Sequence, residues 1–172
     1  MPASSLRLPS GGSGSSSADA GALCVEEAGN GRRWYEGGLL HRADGPAVER
    51  STREEWYFRG ELHRLGGPAV VVCDGTREWW EGGRRHRLDG PARIRPGGRL
   101  EWWRHGHLHR DDGPAVVSER MMAGESWSYR EWWLDGQRYS ETGYLAECEL
   151  RRLASLSHAG QSRARPSPLA RS

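Results

Sequence analysis

The chain has 172 residues, enough for one domain of ordinary size, and its 25 basic and 23 acidic residues nearly cancel. Ile, Leu, Val and Phe together number only 25, which excludes a conventional aliphatic core. No run of about 18 apolar residues is present, which excludes a membrane-spanning helix of the usual kind. Nine Trp, five Tyr and one Phe replace the missing aliphatic residues, all between Trp34 and Tyr144. The sequence therefore indicates an aromatic-rich fold with polar ends.

The N-terminal segment, residues 1–21, is rich in Ser and Gly, and we expect it to be disordered. Its Ser/Gly run at 10–17 has a linker composition and lacks the Lys and the strand–helix context of a phosphate-binding loop. No apolar stretch follows Arg7, so we expect no signal peptide. Three widely separated cysteines form neither a disulfide framework nor a Cys-x-x-Cys metal motif. We therefore expect a reducing, cytoplasmic setting.

Residues 22–144 contain an internal repeat, which we expect to form the folded domain. The unit reads E-W-W-x-x-G-x-x-H-R-x-D-G-P-A-V, and the leading aromatic residues are 22, 23, 23 and 30 residues apart. The aromatic pairs that open the five units are Trp34-Tyr35, Trp56-Tyr57, Trp79-Trp80, Trp102-Trp103 and Trp132-Trp133. The recurring residues to which we assign structural roles are Gly38, Gly60, Gly83, Gly106 and Gly136, Asp44, Asp89 and Asp112, and His41, His63, His86 and His109. Unit 5 loses the pattern after Gly136, as expected of a terminal unit that caps the array.

Within each unit, β-branched and aromatic segments alternate with turn residues, which predicts antiparallel strands. Asp74-Gly75 is a two-residue type I′ hairpin signal, and the recurring Gly of the second turn is expected to have positive φ. Neighbouring side chains of a strand point to opposite faces, so the paired aromatics predict two aromatic columns. We predict an all-β fold in which antiparallel hairpins of about 23 residues form an elongated meander or solenoid.

Two segments depart from this period. The extra residues before unit 5 contain Met121, Met122 and Trp127, and are expected to form either a longer hairpin that covers an edge or a loop that contacts a partner. Apolar residues at helical spacing predict a short capping helix over 145–157, with Thr142 as a possible N-cap. Residues 158–172 are predicted to be a disordered basic tail.

On the basis of this repeat, the chain resembles the MORN-repeat family, and most closely its bacterial variant repeats. The resemblance covers about residues 22–144 and is carried by the hairpin length and by the aromatic-x-x-x-Gly cores, such as Trp79 to Gly83. The H-R-x-D-G-P-A extension departs from the basic MORN pattern and resembles repeats of uncharacterised bacterial, phage and giant-virus proteins. The resemblance implies scaffolding, protein binding, sometimes membrane association, and in some variants immunity to a toxin. It implies no catalytic residues.

The histidine column is the sharpest chemical feature, because imidazole clusters suit Zn, Cu or Ni. With three strands in each unit, however, equivalent histidines would lie about 14 Å apart, too far for one metal ion. The alternative is that His and Arg hydrogen-bond the Asp-Gly turn of their own unit. The recurrence of Asp in nearly every unit likewise favours a turn role over acid–base chemistry. We expect no cofactor, no metal site and no catalytic residues.

The body, residues 22–150, has a net charge of −3, and the basic residues are all Arg. This charge argues against a nucleic-acid partner, whereas the Arg-rich tail leaves weak contact with a membrane surface open. We predict a non-catalytic protein-interaction or scaffold module with an unknown protein partner and no small-molecule substrate. An immunity partner of a toxin is the alternative, and metal or polyanion binding is a weaker one. The residues predicted to contact a partner are Tyr35, Tyr57, Trp80, Trp103, Trp133, Met121, Met122 and Trp127.

Overall fold

The computed structural model describes residues 23–29, 31–122 and 125–162, and these form antiparallel hairpins followed by one helix. The segments 1–21 and 163–172 lie outside the described residues. The strands are β1 (Leu23–Ala28), β2 (Gly31–Glu36), β3 (Leu39–Leu40), β4 (Val48–Arg50), β5 (Arg53–Glu55), β6 (Tyr57–Phe58), β7 (Glu61–Leu62), β8 (Val70–Val72), β9 (Arg77–Glu78), β10 (Trp80–Glu81), β11 (Arg84–Arg85), β12 (Arg93–Arg95), β13 (Arg99–Glu101), β14 (Trp103–Arg104), β15 (His107–Leu108), β16 (Val116–Met122), β17 (Glu125–Leu134) and β18 (Gln137–Tyr139). The helix is α1 (Glu141–Ser162).

The strands form one large open sheet and three small hairpins. The large sheet has 12 strands in the order β1-β2-β4-β5-β8-β9-β12-β13-β16-β17-β18, with β3 beside β2. The small hairpins are β6-β7, β10-β11 and β14-β15. Successive hairpins of the chain therefore lie side by side in sequence order.

In units 2, 3 and 4, the repeat unit is a long hairpin that divides at its leading Trp, whereas β2 and β17 run through the leading Trp of units 1 and 5. In unit 3, β9 pairs with β8 and β12 in the large sheet, whereas β10, directly after Trp79, pairs only with β11. At the break, the Trp79 N–H donates to the Ala92 carbonyl at 2.8 Å, and the Trp79 carbonyl accepts from the His86 N–H at 3.1 Å. Units 1, 2 and 4 repeat both bonds at Trp34, Trp56 and Trp102.

This division changes the predicted spacing of the units. The sequence suggested three strands side by side in each unit, but units 2, 3 and 4 each add only two strands to the large sheet because their second turns lie in separate hairpins. Equivalent residues of neighbouring units are therefore two strand spacings, or about 10 Å, apart.

The core contains many small side chains and paired charges, together with a few large apolar residues such as Leu134 at 1% exposure. Four alanines of the Gly-Pro-Ala motifs are fully buried, with Val48, Val70 and Val116 nearby at 1–4% exposure. The fully buried alanines are Ala47, Ala69, Ala92 and Ala115. The strand register aligns the buried valines with the glutamates that precede the aromatic pairs, for example Val70 opposite Glu78.

Two of these glutamates, Glu78 and Glu101, are themselves buried, and Arg93 lies between them. Its Nε is 2.9 Å from a Glu78 carboxylate oxygen, and its Nη1 is 3.7 Å from Glu101. Burial alone would raise the pKa of Glu101, but the hydrogen bond from Arg99 and the charge of Arg93 outweigh it, so the pKa is lowered. Buried charges are tolerated when they are paired in this way.

The two kinds of turn differ. In the second turn of unit 2, Arg59 and Gly60 have φ of +49° and +85°, and two successive positive φ values are what a type I′ turn requires. The turn at Asp74-Gly75 is different: only Gly75 has positive φ, and its N–H bonds the Val72 carbonyl at 3.0 Å. This is a type I turn followed by a left-handed glycine, because the hairpin loop is longer than two residues.

The C-terminal helix is longer than the sequence suggested and begins earlier. The Gly143 N–H donates to the Ser140 Oγ at 3.1 Å, so Ser140, not Thr142, is the N-cap. Arg151 joins the helix to the second turn of unit 5 through a 2.8 Å hydrogen bond to Asp135, which lowers the pKa of that carboxyl. In the part of the chain that is described, no helix is both long and apolar enough to cross a membrane.

Candidate functional site

Four loops follow the pattern H-R-x-D-G-P-A, with Gly66 in place of the Asp in loop 2, and each is held by its Arg. In loop 3, the Arg87 guanidinium lies 4.1 Å from the ring centroid of Trp79, and its Nη1 donates to the Pro91 carbonyl at 3.3 Å. Its Nε donates to Asp89 at 2.9 Å. A Cβ on Gly90 would lie 3.2 Å from the guanidinium carbon, which explains the glycine at this position. Loops 1 to 4 are residues 41–47, 63–69, 86–92 and 109–115.

The same arrangement recurs in the other three loops. Arg42, Arg64 and Arg110 lie 3.9–4.1 Å from the leading Trp of their own unit. Loop 2 has Gly66 in place of Asp and lacks the ion pair, but Arg64 keeps its bond to the Pro68 carbonyl at 3.1 Å. The recurring Asp residues therefore bind the loop arginines. The hydrogen bond that each Arg donates lowers the pKa of its partner carboxyl, in Asp44, Asp89 and Asp112.

The recurring histidines connect one unit to the next through Nδ1, rather than holding the Asp-Gly turn of their own unit. The His109 Nε2 also lies 3.1 Å from Asp111 in its own loop. The His86 Nδ1 accepts from the His105 N–H, in the second turn of unit 4, at 3.1 Å. Burial, followed by the charge of His105, lowers the pKa of His86, which favours the neutral ring that this bond requires. The other three histidines accept in the same way at Nδ1, at 3.0–3.2 Å. The backbone N–H groups of Arg59, Gly82 and Asp135 donate to His41, His63 and His109, respectively. Among the described residues, no three His, Cys, Asp or Glu side chains are grouped to hold a metal ion.

Between successive loops lie three open clefts, here called clefts I, II and III. Cleft I, between loops 1 and 2, has a volume of about 580 Å³, and clefts II and III have about 230 and 460 Å³. Each is lined by two loop arginines and by the leading Trp between them. These residues are Arg42, Trp56 and Arg64 in cleft I, Arg64, Trp79 and Arg87 in cleft II, and Arg87, Trp102 and Arg110 in cleft III.

The rest of each lining varies from cleft to cleft. The variable residues come from the x position of the loop and from the second residue after the leading Trp. They are Ala43, Phe58 and Leu65 in cleft I, Leu65, Glu81 and Leu88 in cleft II, and Leu88, Arg104 and Asp111 in cleft III. The lining therefore changes from apolar in cleft I to charged in cleft III.

Leu65 and Leu88 are the most exposed large apolar side chains among the described residues, at 79% and 77%. The loop framework does not require leucine, because the same position is Ala43 in loop 1 and Asp111 in loop 4. Sequence reasoning missed both leucines because it relied on residues that recur in every unit. The signal that could have found them is variation at one fixed position of an otherwise constant motif.

The second residue of each aromatic pair, which the sequence predicts as part of a contact surface, is half-buried and hydrogen-bonded. These residues are Tyr35, Tyr57, Trp80, Trp103 and Trp133. Each unit contributes one of these residues, and Arg85 lies between two of them, 4.7 Å from the Trp80 ring and 4.8 Å from the Trp103 ring. The Trp80 Nε1 donates to Glu78 at 3.1 Å, and Trp103 and Trp133 bond Glu101 and Glu131 in the same way. The hydroxyls of Tyr57 and Tyr35 donate to Glu55 and Glu26.

The residues inserted before unit 5 extend a hairpin. Beyond the residues that pair with β13, strands β16 and β17 pair only with each other, from Glu119–Ser128 to Met122–Glu125. Trp127 is 55% exposed, and its ring lies 5.9 Å from that of Tyr129 at an angle of 9°. Met121 and Met122 lie in β16, and their side chains are outside the described part. The described residues of this hairpin line none of the three clefts.

Comparisons of the chain with protein-family models, with curated proteins and with solved structures found no match.

Proposed function

We propose that this chain is a non-catalytic repeat protein that binds a protein partner along clefts I, II and III. The observation that carries the proposal is the division of each cleft into a constant framework and a variable lining. The Arg–Trp stack and the histidine bond fix the backbone of the loop in units 1 to 4, and this leaves the x position free to change. Repeat proteins use residues of this kind to recognise partners, because each unit presents one set of contacts on a common surface.

The chemistry of the variable residues favours a protein partner over a charged polymer. Cleft I offers Phe58 at 48% exposure beside Leu65, and exposed apolar residues grouped in one place mark contact surfaces. Three of the four loop arginines are paired with the Asp of their own loop, so most of the loop charge is already compensated. We further propose that the units form one elongated array, as in the MORN-type repeats that the sequence resembles, so that the clefts form a continuous row.

The test uses Leu65→Asp and Leu88→Asp together, with Leu156→Asp on α1 as the matched control. All three leucines are more than 60% exposed, so stability should change little. The tagged protein is incubated with a lysate of the source cells, its partner is identified by mass spectrometry, and the affinity of the purified pair is then measured by calorimetry. We expect at least tenfold weaker binding for the cleft variant and unchanged binding for the control.

Equal affinity for both variants would show that the partner binds elsewhere, and the proposal would then fail. The nature of the partner separates the two roles considered from the sequence. A single toxin-like partner, bound one to one and inhibited, would indicate an immunity protein. Several unrelated partners would indicate a scaffold.

A further inference from the structure

The helix α1 places one of its own side chains against loop 4. The Tyr144 hydroxyl donates to the Arg110 carbonyl at 2.8 Å and accepts from the Gly113 N–H at 2.9 Å. Tyr144 is only 2% exposed, and this burial, followed by the proximity of the Cys148 side chain, raises its pKa to about 12. The phenol is protonated at neutral pH, as an ordinary tyrosine is, and its hydroxyl can donate to the Arg110 carbonyl.

Loops 1 to 3 present the same pair of backbone groups. Within the described residues, neither the glycine N–H nor the arginine carbonyl of these loops has a hydrogen-bond partner. The pairs are Arg42 and Gly45, Arg64 and Gly67, and Arg87 and Gly90. In units 2 to 4 the residue aligned with Tyr144 is a proline, which has no hydroxyl to fill this place.

The clefts have room for an added ring. Arg42 and Gly45 line cleft I, and Arg87 and Gly90 line cleft III, with volumes of about 580 and 460 Å³. A cavity of about 150 Å³ is enough to hold benzene. The aromatic and aliphatic walls, such as Trp102 and Leu88 in cleft III, suit the ring of an incoming side chain.

We propose that the open clefts bind tyrosine side chains of the protein partner, in the place that Tyr144 occupies at loop 4. This inference rests on the proposed function and specifies the chemistry that the clefts recognise. Each cleft requires one atom that can donate to the arginine carbonyl and accept from the glycine N–H. A tyrosine provides such an atom, its hydroxyl, at the end of a flat apolar ring. A phenylalanine would leave the N–H and the carbonyl unpaired in a newly covered site, which is unfavourable.

The experiment uses the full chain labelled with ¹⁵N and two probes that differ by one hydroxyl, N-acetyltyrosinamide and N-acetylphenylalaninamide. We expect the tyrosine probe to give saturable shifts of the Gly45 and Gly90 amide signals, and the phenylalanine probe to bind about tenfold more weakly. The Gly113 amide is the internal control. Its partner Tyr144 is already in place, so its signal should not move.

A second measurement removes the Tyr144 side chain from loop 4. In Tyr144→Ala, the Gly113 amide loses its partner, and we expect its signal to respond to the tyrosine probe. The wild-type titration stands by itself if this variant does not fold. Equal shifts with both probes, or no shift at Gly45 and Gly90, would overturn the inference.

The two proposals fail separately. If the tyrosine probe does not bind but Leu65→Asp with Leu88→Asp still weakens the partner, the clefts bind a partner through another side chain. If the probe binds and the leucine variant keeps full affinity, the clefts recognise tyrosine but the partner docks elsewhere.

Discussion

The Arg87 guanidinium makes contacts that a lysine ammonium cannot make together: it stacks on Trp79, donates to the Pro91 carbonyl and pairs with Asp89. We therefore expect Arg87→Lys to lower the free energy of unfolding by about 1–3 kcal/mol, because the planar fork is lost while the charge is kept. Urea denaturation measures the change. Arg152→Lys is the control, since its side chain is 72% exposed, and it should be nearly neutral.

A second arginine shows which of these contacts matters. Arg64 stacks on Trp56 and bonds the Pro68 carbonyl, but has no Asp partner because loop 2 carries Gly66. Exposed ion pairs contribute little to stability. We therefore expect Arg64→Lys to cost as much as Arg87→Lys in the same denaturation experiment. A clearly smaller loss for Arg64→Lys would show that the ion pair, and not the stack, holds the loop.

The lowered pKa of His86 predicts a specific pH dependence. The folded protein binds a proton at His86 less readily than the unfolded chain does, whose histidine titrates near 6.5. The stability from the neutral ring is complete above that pH and is lost as the pH falls from 6.5 towards the lower folded pKa. Nearby His105 and Arg104 oppose protonation, whereas Glu81 favours it.

We therefore expect the urea midpoint of the wild type to fall between pH 7.5 and pH 5.5, and to fall less in His86→Gln. A glutamine carbonyl keeps an acceptor for the His105 N–H but does not titrate. Parallel pH dependence in the two proteins would assign the titration to other groups.

At the scale of elements, the cap of α1 is set by the position of one hydroxyl. Ser140 accepts the Gly143 N–H, whereas Thr142 is exposed and lies inside the first turn. Ser140→Ala should destabilise the helix start by about 1 kcal/mol, seen as faster amide exchange at Leu145 and Ala146. Thr142→Ala is the matched control and should leave this exchange unchanged. If Thr142→Ala instead speeds amide exchange and Ser140→Ala does not, Thr142 is the N-cap.

The sequence predicted the hairpins, the positive φ at the recurring glycines and a C-terminal helix, because each follows from local residue chemistry. It did not predict the break at the leading Trp. That break depends on a bond from Trp79 to Ala92, 13 residues away, and the alternating pattern around it is that of a continuous strand. The clefts were not predicted for a similar reason. The sequence shows that the position of Leu65 and Leu88 varies between loops, but only the fold shows that successive loops lie side by side around a cleft.

At the scale of the whole molecule, the bonds between units predict that one unit can be removed. Deleting residues 56–78 joins Glu55 to Trp79, so unit 3 takes the place of unit 2. His41 then faces the Gly82 N–H in place of the Arg59 N–H, and the Arg42 N–H faces the Trp80 carbonyl in place of that of Tyr57. Since these contacts use backbone groups common to all units, we expect the shortened chain to fold.

In an elongated array, the deletion removes two strands of the large sheet and shortens the molecule by about 10 Å. Small-angle scattering measures the length, and near-ultraviolet circular dichroism reports whether the tryptophans stay packed. A control deletion of residues 56–67 removes about half a unit, brings loop and strand residues out of register, and should abolish packing. If the in-register deletion also loses tryptophan packing, the units are not interchangeable. If it folds without becoming shorter, the array is not elongated.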